Sequence, residues 1–313
     1  MVDATVALRN AVKPFLAELE AGDTFLVAVS GGADSLSLAA ALLIESRGLA
    51  LKPIAITIDH QLQEDSHLQA EHVSIQLKEL GYGEIIIKKV LVSLESGLES
   101  GARDARYAAL MESASERKAV KVFLGHTRDD QAETVLLGLA RGSGARSLSA
   151  MAVENGIYLR PFLSVTRVET EAACKEWKLD FWNDPHNLNT EFTRVKVRRE
   201  VIPYLEEHLD PGISRALVRT AALLRDDADA LDQWAESEGG DLDCERLARL
   251  PRAIRTRIIR KAALEAGATP GQTTFEQVQA IDALICEWKG QGAVSLAGGV
   301  KVKRISGRLS LSR

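Results

Sequence analysis

Four short apolar runs mark the first half of the chain: Phe25 to Val29, Ile54 to Ile58, Ile85 to Val90 and Val120 to Leu124. Each is β-rich and nearly free of polar side chains, the pattern of strands covered on both faces in a parallel sheet. The segments Ser35 to Arg47, Glu64 to Leu80, Gly101 to Arg117 and Asp130 to Leu139 instead carry apolar residues at helical spacing. This alternation predicts an α/β fold with a doubly wound parallel sheet, whose ligands bind beyond the carboxyl ends of the strands. Functional residues are therefore expected just after Val29, Ile58 and Leu124.

The pattern changes near Tyr158 to Pro161. A polar loop, Trp182-Asn183-Asp184-Pro185-His186-Asn187-Leu188-Asn189, reads as a connector or lid. Phe192 to His208 and Pro211 to Ala235 read as helices, with Pro211 in a first helical turn that tolerates it. Ala293 to Leu311 alternates around Gly298-Gly299, as a hairpin with a glycine turn would. The expected division is an α/β domain over 1–208, followed by a smaller, mainly helical domain over 209–313 that ends in a basic hairpin-like segment.

With 313 residues, 46% of them hydrophobic and 27% charged, the chain can build about two domains and is neither disordered nor fibrous. Cys174, Cys244 and Cys286 lie far apart, which argues against a disulfide framework or a Cys-x-x-Cys site and for a reduced, cytoplasmic protein with inert buried thiols. Asp3, Arg9, Glu18 and Glu20 do not follow the order of a signal peptide. From Thr24 to Ile44 the only charge is Asp34, a length close to the ~20 residues of a bilayer helix. A polar, glycine-rich break in its middle makes strand, turn and helix the better reading, with no membrane span. The net charge of −5 is uneven. From Leu247 onward twelve Lys/Arg face four acids, giving +8 and leaving −13 on residues 1–246, which permits a polyanion-binding end.

The sharpest motif is Ser30-Gly31-Gly32-Ala33-Asp34-Ser35, after a buried strand and opening a helix. Its glycines let backbone N–H groups face inward as an anion nest, and Ser30 and Ser35 can donate to phosphate oxygens. Asp34 makes sense beside Mg²⁺, which carboxylates and nucleotide phosphates bind together. An ordinary glycine turn with a helix cap would explain the same residues without function. No lysine follows Gly32, so a Walker loop does not fit, and a dinucleotide fingerprint lacks its third glycine. Ala28-Val29-Ser30-Gly31-Gly32 approximates a hydrolase elbow but has Ala28 where that elbow needs glycine.

A second constellation, His126-Thr127-Arg128-Asp129-Asp130-Gln131-Ala132-Glu133-Thr134, follows the strand ending at Leu124. A helix beginning near Asp129 puts Asp130, Glu133 and Thr134 on one face, although acids in a first turn also suit the helix dipole. Asp59-His60 shares that rim. Arg141 and Arg146 flank a flexible loop, Arg103 and Arg106 precede Tyr107, and Arg194, Lys196, Arg198 and Arg199 crowd one segment that reads first as a solvated helix face.

The loop at 30–35 resembles that of the N-type ATP pyrophosphatases. Asp59-His60-Gln61-Leu62, Ala102 to Tyr107, His126 to Thr134, Arg141-Gly142-Ser143-Gly144 and Asn183-Asp184-Pro185-x-Asn187, in that order, are similar to the tRNA(Ile)-lysidine synthetase family. The resemblance covers about residues 24–210. It implies a ligase that uses ATP to adenylate the C2 oxygen of the wobble cytidine in tRNA(Ile) with a CAU anticodon, after which L-lysine displaces AMP. It implies ATP on Ser30, Gly31, Gly32, Ala33, Asp34, Ser35, Asp59 and His60, and Mg²⁺ on Asp34 and Asp130. It further implies catalytic roles for Asp34, Asp130, His126 and Glu133, with Asp129 or Glu133 receiving the lysine ammonium and His126 or Asp59 as general base. Arg103, Arg106, Arg141, Arg146, Arg194, Arg198, Arg255 and Arg260 are the expected tRNA contacts, and a homodimer is compatible with the resemblance. Gln63, His186 and Val195 depart from the family's usual residues, and the C-terminal region is short. A tRNA thiolase of the same superfamily would need clustered cysteines, which this chain lacks. A small-substrate ligase would not need the basic end, a non-catalytic ATP-binding module would release no pyrophosphate, and a hydrolase would need no ATP.

Overall fold

Strands form within two residues of the four apolar runs: β1 (Thr24–Ala28), β2 (Lys52–Asp59), β3 (Glu84–Lys89) and β4 (Lys121–Leu124). The computed structural model describes residues 3–61, 66–93, 97–182 and 190–313. The expected loop residues Asn183 to Asn189, and Leu62 and Gln63, lie outside them. Helix α1 (Ala4–Leu16) precedes β1, and the helical-period segments become α2 (Ala33–Glu45), α3 (Ser66–Leu80), α4 (Leu98–Arg117) and α5 (Arg128–Ala140). A short α6 (Ala145–Leu148), strands β5 (Glu154–Asn155) and β6 (Tyr158–Leu159), and α7 (Arg167–Glu176) follow.

The sheet runs β3-β2-β1-β4-β6-β5, parallel throughout except that β5 opposes β6. Leu8, Val12, Leu36, Leu42 and Val73 of α1, α2 and α3 cover one face with Phe25 and Phe123, whose rings meet edge to face at 5.1 Å. Leu110 and Ala114 of α4 cover the other face over Leu26, Ile54, Ile56 and Val122. Each fully buried large apolar side chain contributes about 1.5–3 kcal/mol. The doubly wound expectation holds, with two adjustments. β3 is an edge strand and stays half-exposed, and β6, two residues long, is the fifth parallel strand where the periodicity showed only a change of pattern.

The expected helix over 192–208 forms as α8 (Thr193–Lys196), a wide π turn (Val197–Val201) and α9 (Ile202–His208). Pro211 lies before, not within, α10 (Ile213–Ser237), because Gly212 at φ +110° breaks the chain there.

The chain divides into two compact units, 1–222 and 223–313, and the division falls inside α10. The second unit holds α11 (Cys244–Arg249), α12 (Arg252–Glu265) and α13 (Phe275–Cys286). Their Leu247, Ile254, Ile258, Ile281 and Leu284 pack with Val302 and Leu309. Its sheet has three antiparallel strands, β7 (Val294–Ser295), β8 (Lys301–Ile305) and β9 (Arg308–Ser312). The single expected hairpin is thereby corrected: besides Gly298-Gly299, Ser306-Gly307 makes a second turn, both residues at positive φ. Cys174 and Cys244 are buried, but Cys286 is exposed, against the expectation of three buried thiols. Among the described residues no helix is long and apolar enough to cross a membrane.

Candidate active site

At the carboxyl ends of β1 and β4, where the order of winding reverses, the sheet opens into a cavity of about 810 Å³. The loop Ser30 to Ser35 forms its floor. The Ser30 N–H donates to Ser35 Oγ at 3.0 Å, and Ser35 Oγ donates to the Gly32 carbonyl at 3.1 Å, so the turn is closed by its own side chains. Gly31 sits at φ +89°, and a Cβ there would lie 2.7 Å from Val73 Cγ2. A Cβ on Gly125, just past β4, would stand 3.0 Å from the Asp34 carbonyl oxygen and the Ser35 Cα. Glycine at 125 is what lets β4 approach the loop.

Asp34 opens α2 and Asp130 opens α5, and a network of guanidinium groups joins them. Arg167, the first residue of α7, places Nη2 at 3.0 Å from Asp34 Oδ2 and 3.8 Å from Asp130 Oδ1. Thr170 Oγ1 donates to Asp34 Oδ1 at 2.5 Å. Burial pushes the Asp34 carboxyl above its ordinary value, against the pull of Arg167 and Thr170. Asp130 divides its oxygens. Oδ2 accepts from Thr127 N–H at 2.8 Å and Thr127 Oγ1 at 3.1 Å in a capping box, while Oδ1 faces Arg198 at 3.3 Å and Arg194 at 3.6 Å. Burial works against ionisation of Asp130, but Arg194, His126, the Thr127 N–H and Arg167 outweigh it and hold the carboxyl low. Capping thus occupies one oxygen of this residue, while the other is turned to the guanidinium groups.

Glu133 is fully buried and receives Arg194 Nε at 2.9 Å and Arg198 Nε at 2.5 Å. Asp129 accepts the Arg167 backbone N–H at 2.9 Å and so caps α7. Glu133 is thus committed to two guanidinium groups, whereas Asp129 keeps one carboxylate oxygen unengaged among the described residues but does not line the cavity. Arg194 and Arg198 do not form a solvated helix face either: four positions apart, they point inward onto Glu133.

Asp59 is buried at the end of β2 and accepts the Gln61 N–H at 2.9 Å. His60 and His126 line the cavity, each with Nδ1 buried and without a partner. Burial, then Arg106, pulls His60 below its ordinary value. Burial is also the main cause that pulls His126 down to about 3, with Asp130 opposing. Burial thus favours the neutral imidazole, a hydrogen-bonding group in the cavity wall. Arg103 and Arg106 stand 5.0 and 5.5 Å from the centre of the Tyr107 ring and also line the cavity. The Arg106 Nε is buried without a partner.

Other expected contacts lie elsewhere. Arg141, at the end of α5, and Arg146, in α6, are exposed and do not line the cavity. Arg255 is buried on Asp282 at 2.5 Å, and Arg260 donates to the Thr273 and Pro270 carbonyls at 2.8 and 3.1 Å. Both contacts lie within the second unit: buried Arg255 needs acceptors for its guanidinium, and half-buried Arg260 ties α12 to the segment before α13. Sequence reasoning missed Arg167, Thr170 and Glu171, all at or near the cavity, which Arg199 of the basic segment also lines. One signal was available for Arg167: a cation in a first helical turn opposes the helix dipole and therefore calls for a carboxylate partner.

Six arginines (Arg103, Arg106, Arg167, Arg194, Arg198 and Arg199) line the cavity beside the loop, a receptor for a polyphosphate. Among the described residues no three His, Cys, Asp or Glu converge as a metal cage. Asp34 and Asp130 nevertheless converge on one cationic nitrogen. Two carboxylates suit Mg²⁺, which takes its remaining ligands from phosphates and water, so the residues present fit that ion.

The family model for the PP-loop domain matches residues 4–205, and that for the TilS substrate binding domain matches residues 242–310. The tRNA(Ile)-lysidine synthase of Thermobifida fusca is 49% identical over 312 residues, covering 97% of this chain and 96% of that protein. That of Streptomyces coelicolor is 50% identical over 294 residues, covering 91% and 84%. The U34-tRNA thiolase NcsA from Methanococcus maripaludis shares the fold, with a TM-score of 0.58 at 19% identity over 71% of this chain and 80% of that one.

Proposed function

The chain belongs to the tRNA(Ile)-lysidine synthase family, and on that premise we propose how its residues work. It is an ATP-dependent ligase that joins lysine to the wobble cytidine of tRNA(Ile). The observation that carries the reading is the arginine-lined cavity built on the Ser30 to Ser35 loop at the sheet's switch point.

Backbone N–H groups of the loop and the surrounding guanidinium groups receive the ATP phosphates. Asp34 and Asp130 would hold Mg²⁺, which supplies charge neutralisation on the phosphates when bound. The C2 oxygen of the cytidine attacks the α-phosphorus and pyrophosphate leaves. A lysine amine then bonds to C2, the C2–O bond breaks, AMP departs with that oxygen, and the amine sheds a proton. Preorganised charge and position do most of this work, and His60 and His126, kept neutral, offer hydrogen bonds without adding charge. Glu171 of α7 lines the cavity and makes no ion pair among the described residues, so the lysine ammonium is assigned to it. An unpaired CAU anticodon base enters such a pocket more cheaply than a paired one. The enzyme works where tRNA and free lysine meet, in the cytoplasm, and a homodimer is compatible with this chemistry.

The test is pyrophosphate release from ATP with Mg²⁺, tRNA and L-lysine, omitting each in turn while following labelled lysine into tRNA. ATP-dependent label in tRNA is the expected result. Pyrophosphate without label would point to another acceptor, and the absence of both would leave a binding module or a hydrolase.

A further inference from the structure

The two carboxylates assigned to the metal already share a cation supplied by the protein. Arg167 Nη2 lies 3.0 Å from Asp34 Oδ2 and 3.8 Å from Asp130 Oδ1, and its Nε lies 3.3 Å from Asp34 Oδ2. The other oxygen of each acid is tied to a threonine: Asp34 Oδ1 to Thr170 at 2.5 Å, and Asp130 Oδ2 to Thr127 at 2.8 Å. Both acids are thus oriented by the protein and turn their remaining oxygens to one point.

We infer that Arg167 is the internal counter-cation of the Asp34–Asp130 pair, occupying the place of the metal in the nucleotide-free enzyme and swinging aside when the metal arrives with ATP. The inference rests on the assignment of Mg²⁺ to those two acids. The backbone of Arg167 is fixed, because its N–H is held by Asp129 at 2.9 Å at the start of α7. Its side chain keeps 27% of its surface exposed, so turning away from the acids carries the guanidinium toward water and not into the core. A guanidinium at a helix N-terminus gains nothing from the helix dipole, so its position depends on the two carboxylates. Without a cation between them those acids, both within 4 Å of the same nitrogen, repel each other.

Displacement carries a selective consequence. A free divalent ion must evict Arg167 and leave it without a partner, whereas an ion that enters on a nucleotide brings phosphate oxygens, to which a guanidinium bonds well. The acids are therefore loaded by the metal–nucleotide complex and guarded against metal alone. Asp130 is not stranded during the exchange, since Arg198 and Arg194 remain at 3.3 and 3.6 Å.

The experiment measures Mn²⁺ binding by electron paramagnetic resonance in wild type, Arg167→Met, Arg167→Lys and Arg167→Met/Asp34→Asn, with and without a non-hydrolysable ATP analogue. If Arg167 fills the site most of the time, removing it raises the nucleotide-free affinity by about tenfold or more. Arg167→Lys, which keeps a cation, gains less, and the double variant loses the gain. In parallel, Mg²⁺ should raise the melting temperature of Arg167→Met but not that of wild type. The inference is overturned if Arg167→Met, folded by circular dichroism, binds free Mn²⁺ no tighter than wild type while both bind it with the analogue. If wild type fails to bind Mn²⁺ even with the analogue, the assignment of the metal to Asp34 and Asp130 falls, and this inference with it.

Discussion

Arg198 closes a side-on ion pair on Glu133, with Nε 2.5 Å from Oε1 and Nη2 2.9 Å from Oε2, at a carboxylate with no exposed surface. Arg194 completes it at 2.9 Å. The asymmetry of burial sets the cost of breaking it. Arg194→Met/Arg198→Met would strand a fully buried acid and should cost about 3–5 kcal/mol. Glu133→Gln leaves arginines that are 28% and 23% exposed and can turn to water, so its cost should be smaller, about 1–2 kcal/mol. Urea unfolding of the variants measures both, and equal losses would mean that Glu133 is not the dominant buried charge.

Asp34→Asn should abolish adenylation with little effect on the fold. The amide oxygen can still accept from Thr170, so the stability loss is confined to the ion pair with Arg167, about 1 kcal/mol. Pyrophosphate release should drop by about 100-fold or more, the scale of losing one preorganised charge at a phosphoryl centre. A wild-type rate from this variant would remove Asp34 from the chemistry.

His126 should make the enzyme acid-sensitive. Its folded value, pulled down to about 3, lies below the ordinary 6.5, so below pH 6.5 the unfolded chain binds a proton that the folded chain refuses. Stability therefore rises with pH across that window and falls as the pH drops. Between pH 6.5 and 5 the loss attributable to this residue is about 2 kcal/mol. In His126→Asn that part of the loss should vanish. If urea unfolding of wild type and variant shows the same pH slope, His126 is not held neutral by burial.

The sheet and the loop were legible because each strand and helix declares itself through its neighbours in sequence. The site was only half legible because its contacts are long-range. Arg167 is 133 positions from Asp34, and Arg198 is 65 from Glu133, so local spacing showed the acids but not the guanidinium groups that claim them. Arg194 and Arg198 read as surface cations because charged residues are usually exposed. Arg255 was misread for the same reason. Gly125 escaped notice because its constraint is the close approach of the Asp34 backbone from another element. β6, at two residues, is too short to show a period.

Glu171→Gln should raise the KM for lysine by about tenfold, the scale of one charge-assisted hydrogen bond, while the KM for ATP stays unchanged. Labelled-lysine incorporation at varied lysine and fixed ATP makes this separation. An unchanged lysine KM would return the ammonium to another part of the cavity.

The basic end of the chain should bind tRNA through its exposed strand face. Arg255 cannot be part of that footprint: it is buried on Asp282 and also donates to the Leu250 carbonyl at 2.8 Å. Arg255→Glu would set two carboxylates together in a buried site and should cost the second unit about 3–5 kcal/mol. Lys301 and Lys303 are exposed on β8 on either side of buried Val302, so strand alternation turns both to one face. Lys301→Ala/Lys303→Ala should leave the melting temperature in place, weaken tRNA binding, and reduce the slope of log K against log salt by about 1 to 2, as expected for losing up to two phosphate contacts. Filter binding across a salt series reads that slope. An unchanged slope would move the footprint from β8 to the arginines at the cavity rim.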